Sequence, residues 1–287
     1  MTSPGVRAQR SGTLVDRALE LLATGPVESL VLAHQVMGVP AATPPIADRL
    51  ATALLGADPR VRRRGDARWE LVRSAAGSPR LVDCTFAVVD VETTGSSPSR
   101  GDRVIEIAVA TLSGGRVEMV MDTLVNPGRP IPRAVTGITR ITHEDVADRS
   151  PFRDLAGEVV AALAGRVFVA HNMRFDWAFV SAEVGRALDV TLDGPRLCTV
   201  LLSRRLIAGL KSRGLDSVAR YFGIEIEHRH RAGGDAMATA AILNRLIDLA
   251  GERGIDTLHE LEDLTRRRKK RKQRKRRRAL PVSMEEA

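Results

Sequence analysis

From Leu81 onward the hydrophobic positions alternate between two periods. Phe86–Val91 is apolar on both faces except at Asp90, which predicts a buried central strand. Val104–Leu112 and Arg116–Val125 predict two further strands, joined by a turn at Ser113, Gly114 and Gly115. Phe152–Leu163 has the spacing of an amphipathic helix, and Val167–Ala170 is a short apolar strand. Helices follow at Asp176–Arg186, Val200–Ile207, Leu215–Phe222 and Asp235–Ala250. Early strands followed by alternating helices and a strand predict an α/β fold with helices flanking a sheet.

Residues 13–73 carry a different pattern. Leu14, Ala18, Leu21 and Leu22 have helical spacing, a second short helix is expected around Val27–Val36, and a third begins at Pro44–Pro45. Proline is tolerated there because the first N–H groups of a helix have no partner to lose. Ile46, Leu50, Leu54 and Leu55 are its expected inner face. Arg60–Arg64 and Arg68–Leu71 flank a Gly65–Asp66 turn and read as a hairpin. Three helices and a hairpin resemble a winged helix, with Arg60, Arg62, Arg63, Arg64 and Arg68 on the wing. Two readings stay open for that wing, contact with nucleic acid or a solvated edge of a protein-docking module.

The expected division is a disordered stretch at 1–12, a winged-helix-like domain at 13–73, a linker at 74–81, the α/β domain at 82–252, and the end of a C-terminal helix with a basic tail at 253–287. The linker rests on the composition of Ser74–Arg80.

Charge changes the picture once it is located. Residues 266–278 hold twelve Lys or Arg in thirteen positions; the 44 basic residues of the chain without those twelve are 32, against 35 acidic. Residues 1–80 carry 11 basic and 7 acidic residues, and residues 81–265 carry 21 and 26. The middle is therefore acidic between basic ends. An acidic centre that meets a polyanion needs cations, and metal ions are the evident candidates. A block as dense as 266–278 does not fold alone, and its expected role is a non-specific nucleic-acid tether.

No apolar run reaches eighteen residues, so no membrane span is expected, and the N-terminus lacks a signal-peptide layout. Two cysteines, Cys84 and Cys198, read as reduced packing residues of an intracellular, cytoplasmic protein. Arginine outnumbers lysine 39 to 5, the bias of a GC-rich genome, which suits a bacterial, nucleoid-associated protein.

Three segments carry chemistry. In Phe86–Gly95 the alternation of a strand puts Asp90 and Glu92 on one face, at the end of an otherwise apolar strand. Buried carboxylates are costly unless something neutralises them. His171-Asn172-Met173-Arg174-Phe175-Asp176 follows the strand Val167–Ala170, with Asp176 opening the next helix. His228 to Thr239 includes His230 on a loop and Asp235 at the start of a long helix. Each segment alone reads as a strand end or a helix cap.

Together they resemble the three exonuclease motifs of the DEDDh branch of the DnaQ-like superfamily, over roughly residues 83–250. Asn126-Pro127-Gly128 and Val135–Thr139 resemble the family's connector and nucleotide-lining segment, with Thr136 where some relatives have His. Leu215–Ile224 resembles the helix before motif three. Arg231 stands where the sister branch has Tyr, so the His branch fits. The resemblance implies a ribonuclease-H-like mixed sheet and a 3′→5′ exonuclease using two divalent ions, Mg²⁺ or Mn²⁺. Asp90 would bridge both ions, Glu92 and Asp235 would complete one site, Asp176 would help hold the other, and His230 would take the proton of the attacking water. Thr93, Thr94, Thr136, Gly137, Ile138, His171, Asn172 and Phe175 are the implied nucleotide-binding positions.

The chemistry agrees with that inference. Two carboxylates about 5 Å apart repel by roughly 3 kcal/mol at an effective dielectric near 20, so several cannot stay ionised without cations. Oxygen ligands select Mg²⁺ or Mn²⁺ over zinc. An imidazole suits proton transfer because its ordinary pKa of about 6.5 lies near neutrality. The expected partner is nucleic acid with single-stranded 3′ ends, DNA before RNA, in a polymerase or repair complex and away from membranes. An RNA-trimming enzyme of the same fold and a non-catalytic DNA-binding regulator remain alternatives.

Overall fold

The computed structural model describes residues 5–10, 13–58, 60–65, 68–71 and 78–266. The Gly65–Asp66 turn, most of the Ser74–Arg80 segment and the basic tail thus lie wholly or largely outside the described residues. The chain divides into two compact units, 9–77 with 189–191, and the remainder.

The larger unit holds a mixed five-stranded sheet. Its strands are β1 (Thr85–Thr93), β2 (Val104–Ser113), β3 (Arg116–Leu124), β4 (Val167–Ala170) and β5 (Arg196–Cys198), in the order β5-β4-β1-β2-β3. The first three form an antiparallel meander, while β4 lies parallel to β1 and β5 parallel to β4. Ala87, Val88 and Val89 are fully buried, so β1 is covered on both faces, as its unbroken apolar run predicts. In β3, the strand at the edge of the sheet, exposed and half-buried residues alternate.

The helices are α1 (Arg133–Thr139), α2 (His143–Ala147), α3 (Phe152–Leu163), α4 (Arg174–Leu188), α5 (Thr199–Leu206), α6 (Leu215–Phe222), α7 (Ala232–Gly251) and α8 (Leu258–Arg266). Helix α7 buries Ala240, Leu243 and Leu246 in a core shared with Phe86, Val88, Leu112 and Val169. At its N-terminal end Ala232 and Ala236 face Ala108, with Met119 of β3 packed beside them. Three methyl groups let the helix backbone approach the sheet closely, which brings Asp235 beside β1. Helices α3 and α4 pack on each other, and α4 reaches β1 and β2.

Several boundaries differ from the expected ones. Helix α4 begins at Arg174 and α7 at Ala232, so Asp176 and Asp235 stand inside first turns and do not open their helices. Helix α8 buries Leu258 and Leu261 in the main core, so residues 253–266 belong to the α/β unit. Its N-terminal residues also tie down 78–81: the Leu258 N–H donates to Pro79 O and the Leu81 N–H to Asp256 O. The expected disorder of 1–12 does not extend over residues 5–10. Val6 is buried, its N–H donates to Arg166 O at 2.7 Å, and Arg7–Arg10 is a strand. A single buried valine and a few backbone bonds leave little periodicity to detect.

The smaller unit has helices at Leu14–Ala23 and Pro44–Leu55, a helical segment from Ser29 to Val36 whose second part is π-helical, and an antiparallel sheet of Val27–Glu28, Val61–Arg63 and Arg68–Leu71. Val27 and Glu28, expected as helix, pair with Trp69 and Arg68. The inner face of Pro44–Leu55 is Ala47, Ala51 and Leu55, whereas Ile46 is half exposed. Alanines at helical spacing let the helix pack tightly, and the larger side chains flank that line. Trp69 donates to Ser29 Oγ, which donates to Asp48, so the core carries a short polar chain.

Candidate active site

Asp90 and Glu92 leave β1 on the same face, opposite Ala108 and Glu106 of β2. The register shifts between Glu92 and Thr93, and a bulge of this kind re-aims side chains at a strand end. Asp235 comes from the first turn of α7. Asp90, Glu92 and Asp235 each offer an oxygen, and these atoms all lie within 4.8 Å of one another. The Asp176 carboxylate accepts from the Val91 N–H at 3.3 Å, between the other two acids of β1.

The acids destabilise one another's ionised forms. Burial, then the charges of Asp176, Asp235 and Glu92, hold the Asp90 carboxyl well above the ordinary range. Burial pushes Asp176 up as well, and Glu92 rises to about 8 through burial and the neighbouring Asp235 and Glu106 charges. Asp235 is raised less, because Arg229 and His230 oppose its burial. Two buried oxygens here, Asp235 Oδ1 and Thr239 Oγ1, have no hydrogen-bond partner. An all-oxygen carboxylate cluster with an orphaned buried oxygen fits a hard divalent cation.

His230 is exposed on the loop before α7. Its Nδ1 lies 3.3 Å from Arg229 Nη1, and a guanidinium only donates, so this nitrogen faces it with its lone pair. His228 and His230 both adopt left-handed backbone, with φ of 51° and 64°. The loop folds so tightly over Gly234 that a Cβ there would collide with the Glu227 carbonyl.

The implied nucleotide-binding positions divide. Thr93 donates its hydroxyl to Gly95 O, and Thr94 Oγ1 accepts from the Arg103 N–H, so both side chains are anchored within the loop. His171 is held within the fold. Its Nδ1 meets Thr199 Oγ1 at 2.8 Å and its Nε2 donates to Arg213 O at 2.9 Å. Burial lowers its pKa, and with both nitrogens engaged it ties β4 to α5 and has no hydrogen bond left for a nucleotide. Phe175 stacks at a tilt on Phe179. Asn172, Gly137 and Ile138 are exposed and Thr136 half-buried, Ile138 with 58% of its surface in solvent.

Other residues reach the site without having been marked by its motifs. Arg229 pairs with Asp235 Oδ2 and, at 2.9 Å, with Asp216. Arg103 makes a two-point ion pair with buried Glu183 at 2.7 and 2.8 Å, joining the start of β2 to α4. Glu106 binds Arg231 and the Ala232 amide. A lone acid in the apolar run Val104–Leu112 was the available signal for Glu106.

A mixed central sheet with flanking helices, and acids brought together from β1, α4 and α7, has the architecture of a ribonuclease-H-like fold. The family model described as Exonuclease matches residues 87–243, and the chain belongs to that family. It is 34% identical over 181 residues to the 3′-5′ exonuclease DinG of Bacillus subtilis, covering 63% of this chain and 19% of that protein. It is 38% identical over 191 residues to a DNA polymerase III subunit epsilon-like protein of Rhodobacter capsulatus, covering 64% and 27%. The chain thus spans about a fifth to a quarter of these relatives' length. A solved structure of exonuclease I superposes with a TM-score of 0.50 at 20% identity, over 62% of this chain and 42% of that one, a likeness of fold. Among the described residues no helix is long and apolar enough to cross a membrane.

Proposed function

We propose that this protein is a 3′→5′ exonuclease that hydrolyses the terminal phosphodiester of DNA with two divalent ions, Mg²⁺ or Mn²⁺. The observation that carries the reading is the convergence of Asp90, Glu92 and Asp235 within 4.8 Å inside an exonuclease-family domain, with Asp235 Oδ1 left without a partner. Such ions, when bound, neutralise the carboxylates and stabilise charge developing on the attacking and leaving oxygens.

The chain's own groups supply the rest. Asp90, Glu92, Asp176 and Asp235 would hold the ions: Asp90 would serve both, Glu92 and Asp235 would complete one set, and Asp176 would help hold the other. His230 takes the proton from the attacking water as the new P–O bond forms. The P–O3′ bond breaks, releasing a nucleoside 5′-monophosphate, and the departing 3′ oxygen is protonated from solvent. Backbone at Thr93 and Thr94, with Thr136, Gly137, Ile138, Asn172 and Phe175, lines the path of the terminal nucleotide.

The relative named for DNA polymerase III supports DNA before RNA and a setting in replication, and a place in the cytoplasm at the nucleoid, in replication or repair, goes with that reading. The basic run at 266–278 supports a tether for nucleic acid. The smaller unit, with three helical segments and a three-stranded sheet, supports a winged-helix-like module.

The deciding experiment is degradation of 5′-labelled single-stranded DNA, duplex DNA and RNA side by side, with Mg²⁺, Mn²⁺ or chelator. Ladders that shorten from the 3′ end with metal only are expected. Activity that persists in chelator defeats the metal reading, and preference for RNA makes the protein a trimming exoribonuclease.

A further inference from the structure

Strand β2 is buried without interruption from Val104 to Ala110, and Glu106 is its one charge, with 1% of its surface exposed. An ionised carboxylate in such a place survives only when fully paired. Arg231 donates to Glu106 Oε1 from Nε at 2.9 Å and from Nη2 at 2.5 Å. The Ala232 N–H donates to Oε2 at 2.8 Å. Glu106 faces Glu92 across the β1–β2 ladder, beside the acidic cluster, but its own oxygens are already held by donors of this chain.

Ala232 is the first residue of α7. Glu106 therefore satisfies one of the helix's unpaired N–H groups and places a negative charge at the positive end of its dipole. Asp122 of β3 lies against the next residue, so closely that a Cβ on Gly233 would collide with its carboxylate. The N-terminus of α7 is thus seated on two acids from neighbouring strands. The same short segment carries the proposed proton acceptor and a proposed metal ligand: His230 immediately precedes the pair that Glu106 grips, and Asp235 follows in the first turn.

We propose that Glu106 is a positioning residue for hydrolysis, acting through Arg231 and the Ala232 amide to hold His230 and Asp235 in register with Asp90 and Glu92. The need for an anchor is visible in the loop itself. His228 and His230 occupy left-handed backbone that side chains rarely adopt, and such conformations persist only where surrounding contacts fix them. This role rests on the hydrolytic reading above, and its test separates the two.

Glu106→Gln keeps the shape and removes the charge; Arg231→Lys keeps the charge and removes the two-point grip. Arg231→Lys leaves Glu106 a cationic partner and changes a side chain that is 44% exposed, so it tests the proposal if Glu106→Gln does not fold. Each variant is assayed for kcat and KM on a short single-stranded oligonucleotide, for Mn²⁺ affinity by calorimetry, and for amide exchange over residues 228–235. A displacement of about 1 Å at reacting groups costs on the order of 10²-fold, so kcat should fall by roughly 10²-fold while KM changes less than about threefold. Exchange over 228–235 should accelerate, and Mn²⁺ binding should weaken. Because both variants cut one link, the double variant should be no more than about threefold worse than the poorer single.

Unchanged exchange and a kcat within about threefold of wild type would overturn the proposal, as would losses that multiply in the double variant. A wild type that binds no Mn²⁺ and degrades nothing sinks the hydrolytic reading instead, and the exchange data then still report whether Glu106 anchors the segment.

Discussion

The acidic cluster of the α/β unit and the arginine-rich hairpin of the smaller unit are both concentrations of like charge, yet they are in opposite electrostatic condition. In the hairpin every described arginine has an acid beside it. Arg60 meets Asp58 at 2.7 Å, Arg62 and Arg64 share Glu70, Arg63 reaches Asp48 and Arg68 reaches Glu28. In the cluster the acids face one another. Glu92 is pushed up to about 8, Asp90 and Asp176 are raised well above their ordinary range, and Arg229 is the guanidinium that reaches in. A charge run in a sequence counts residues; only their partners tell whether the charge remains available. The unrelieved cluster is the one that calls for a ligand, in keeping with the rule that strongly perturbed groups gather at functional sites.

The sharpest way to break this comparison is to remove an acid from the cluster. Asp90→Ala or Asp235→Ala should abolish nearly all metal-dependent turnover, because each leaves a cation without a ligand. Folding of the metal-free protein should survive, since repulsion is relieved. Circular dichroism beside a nuclease assay checks both; an active Asp90→Ala protein would remove the cluster from the mechanism.

Next in size is His230→Ala, for which turnover should drop by about 10²–10⁴-fold, the usual contribution of general-base catalysis. Mn²⁺ binding should persist, and the acidic limb of the pH–rate profile should disappear. A larger loss from His228→Ala would move the proton acceptor two positions along the loop.

How far this was legible in sequence depends on the scale of the cause. The strand Phe86–Val91, the helix Phe152–Leu163 and the strand Val167–Ala170 follow from local periodicity and lie where it puts them. Asp90 and Glu92 share a face for the same local reason. The start of α7 at Ala232 was hidden because its cap is not local: Glu106 lies 126 positions earlier in the chain. The partners of His171, Thr199 and Arg213, come from segments that only the fold assembles, so its hydrogen bonds were not legible in the motif. The paired state of the hairpin arginines was hidden likewise, since Glu28 and Asp48 come from other elements.

The unrelieved charge should also appear in the stability of the metal-free protein. Glu92 has an ordinary pKa of 4.5 and rises to about 8 when folded. Between those values the unfolded chain has lost the proton while the folded chain retains it, so folding stability declines as pH rises from about 4.5 to about 8. The raised Asp90 and Asp176 act in the same direction. In chelator, the thermal midpoint should fall across this window, and Glu92→Gln should flatten the fall. Adding Mn²⁺ should restore the midpoint most at the upper end, where the ligands are ionised most readily. A midpoint that rises from pH 5 to 8 in chelator would contradict the raised values.

The tail is the densest block of basic charge in the chain. Ending the chain at Thr265 removes twelve basic and two acidic residues and takes the net charge from +9 to −1. Each phosphate neutralised on a single strand contributes about 0.7 to the slope of log affinity against log salt. The truncated protein should show a flatter slope and weaker binding of long strands, with turnover of a very short oligonucleotide changed far less. An unchanged slope would leave the tail as a solvated extension.

The smallest effect is expected at the hairpin, and it completes the contrast. Exposed ion pairs contribute about 0–1 kcal/mol each, so Arg62→Ala with Arg63→Ala should lower stability by about 2 kcal/mol at most. The more informative reading is the salt titration. If both guanidiniums bound phosphate, their loss would flatten the slope by about 1.4, twice the contribution of one phosphate. Because Glu70 and Asp48 already hold these side chains at 2.8 Å, the slope should change by much less than that. The acids would have to be displaced first, and Glu70→Gln with Asp48→Asn supplies that displacement. This second double variant releases both arginines, so it should steepen the slope where the first did not flatten it. A full drop of about 1.4 in the arginine variant would show instead that nucleic acid competes successfully with Glu70 and Asp48. In that case the hairpin would be a binding surface in its own right and its charge would be available after all.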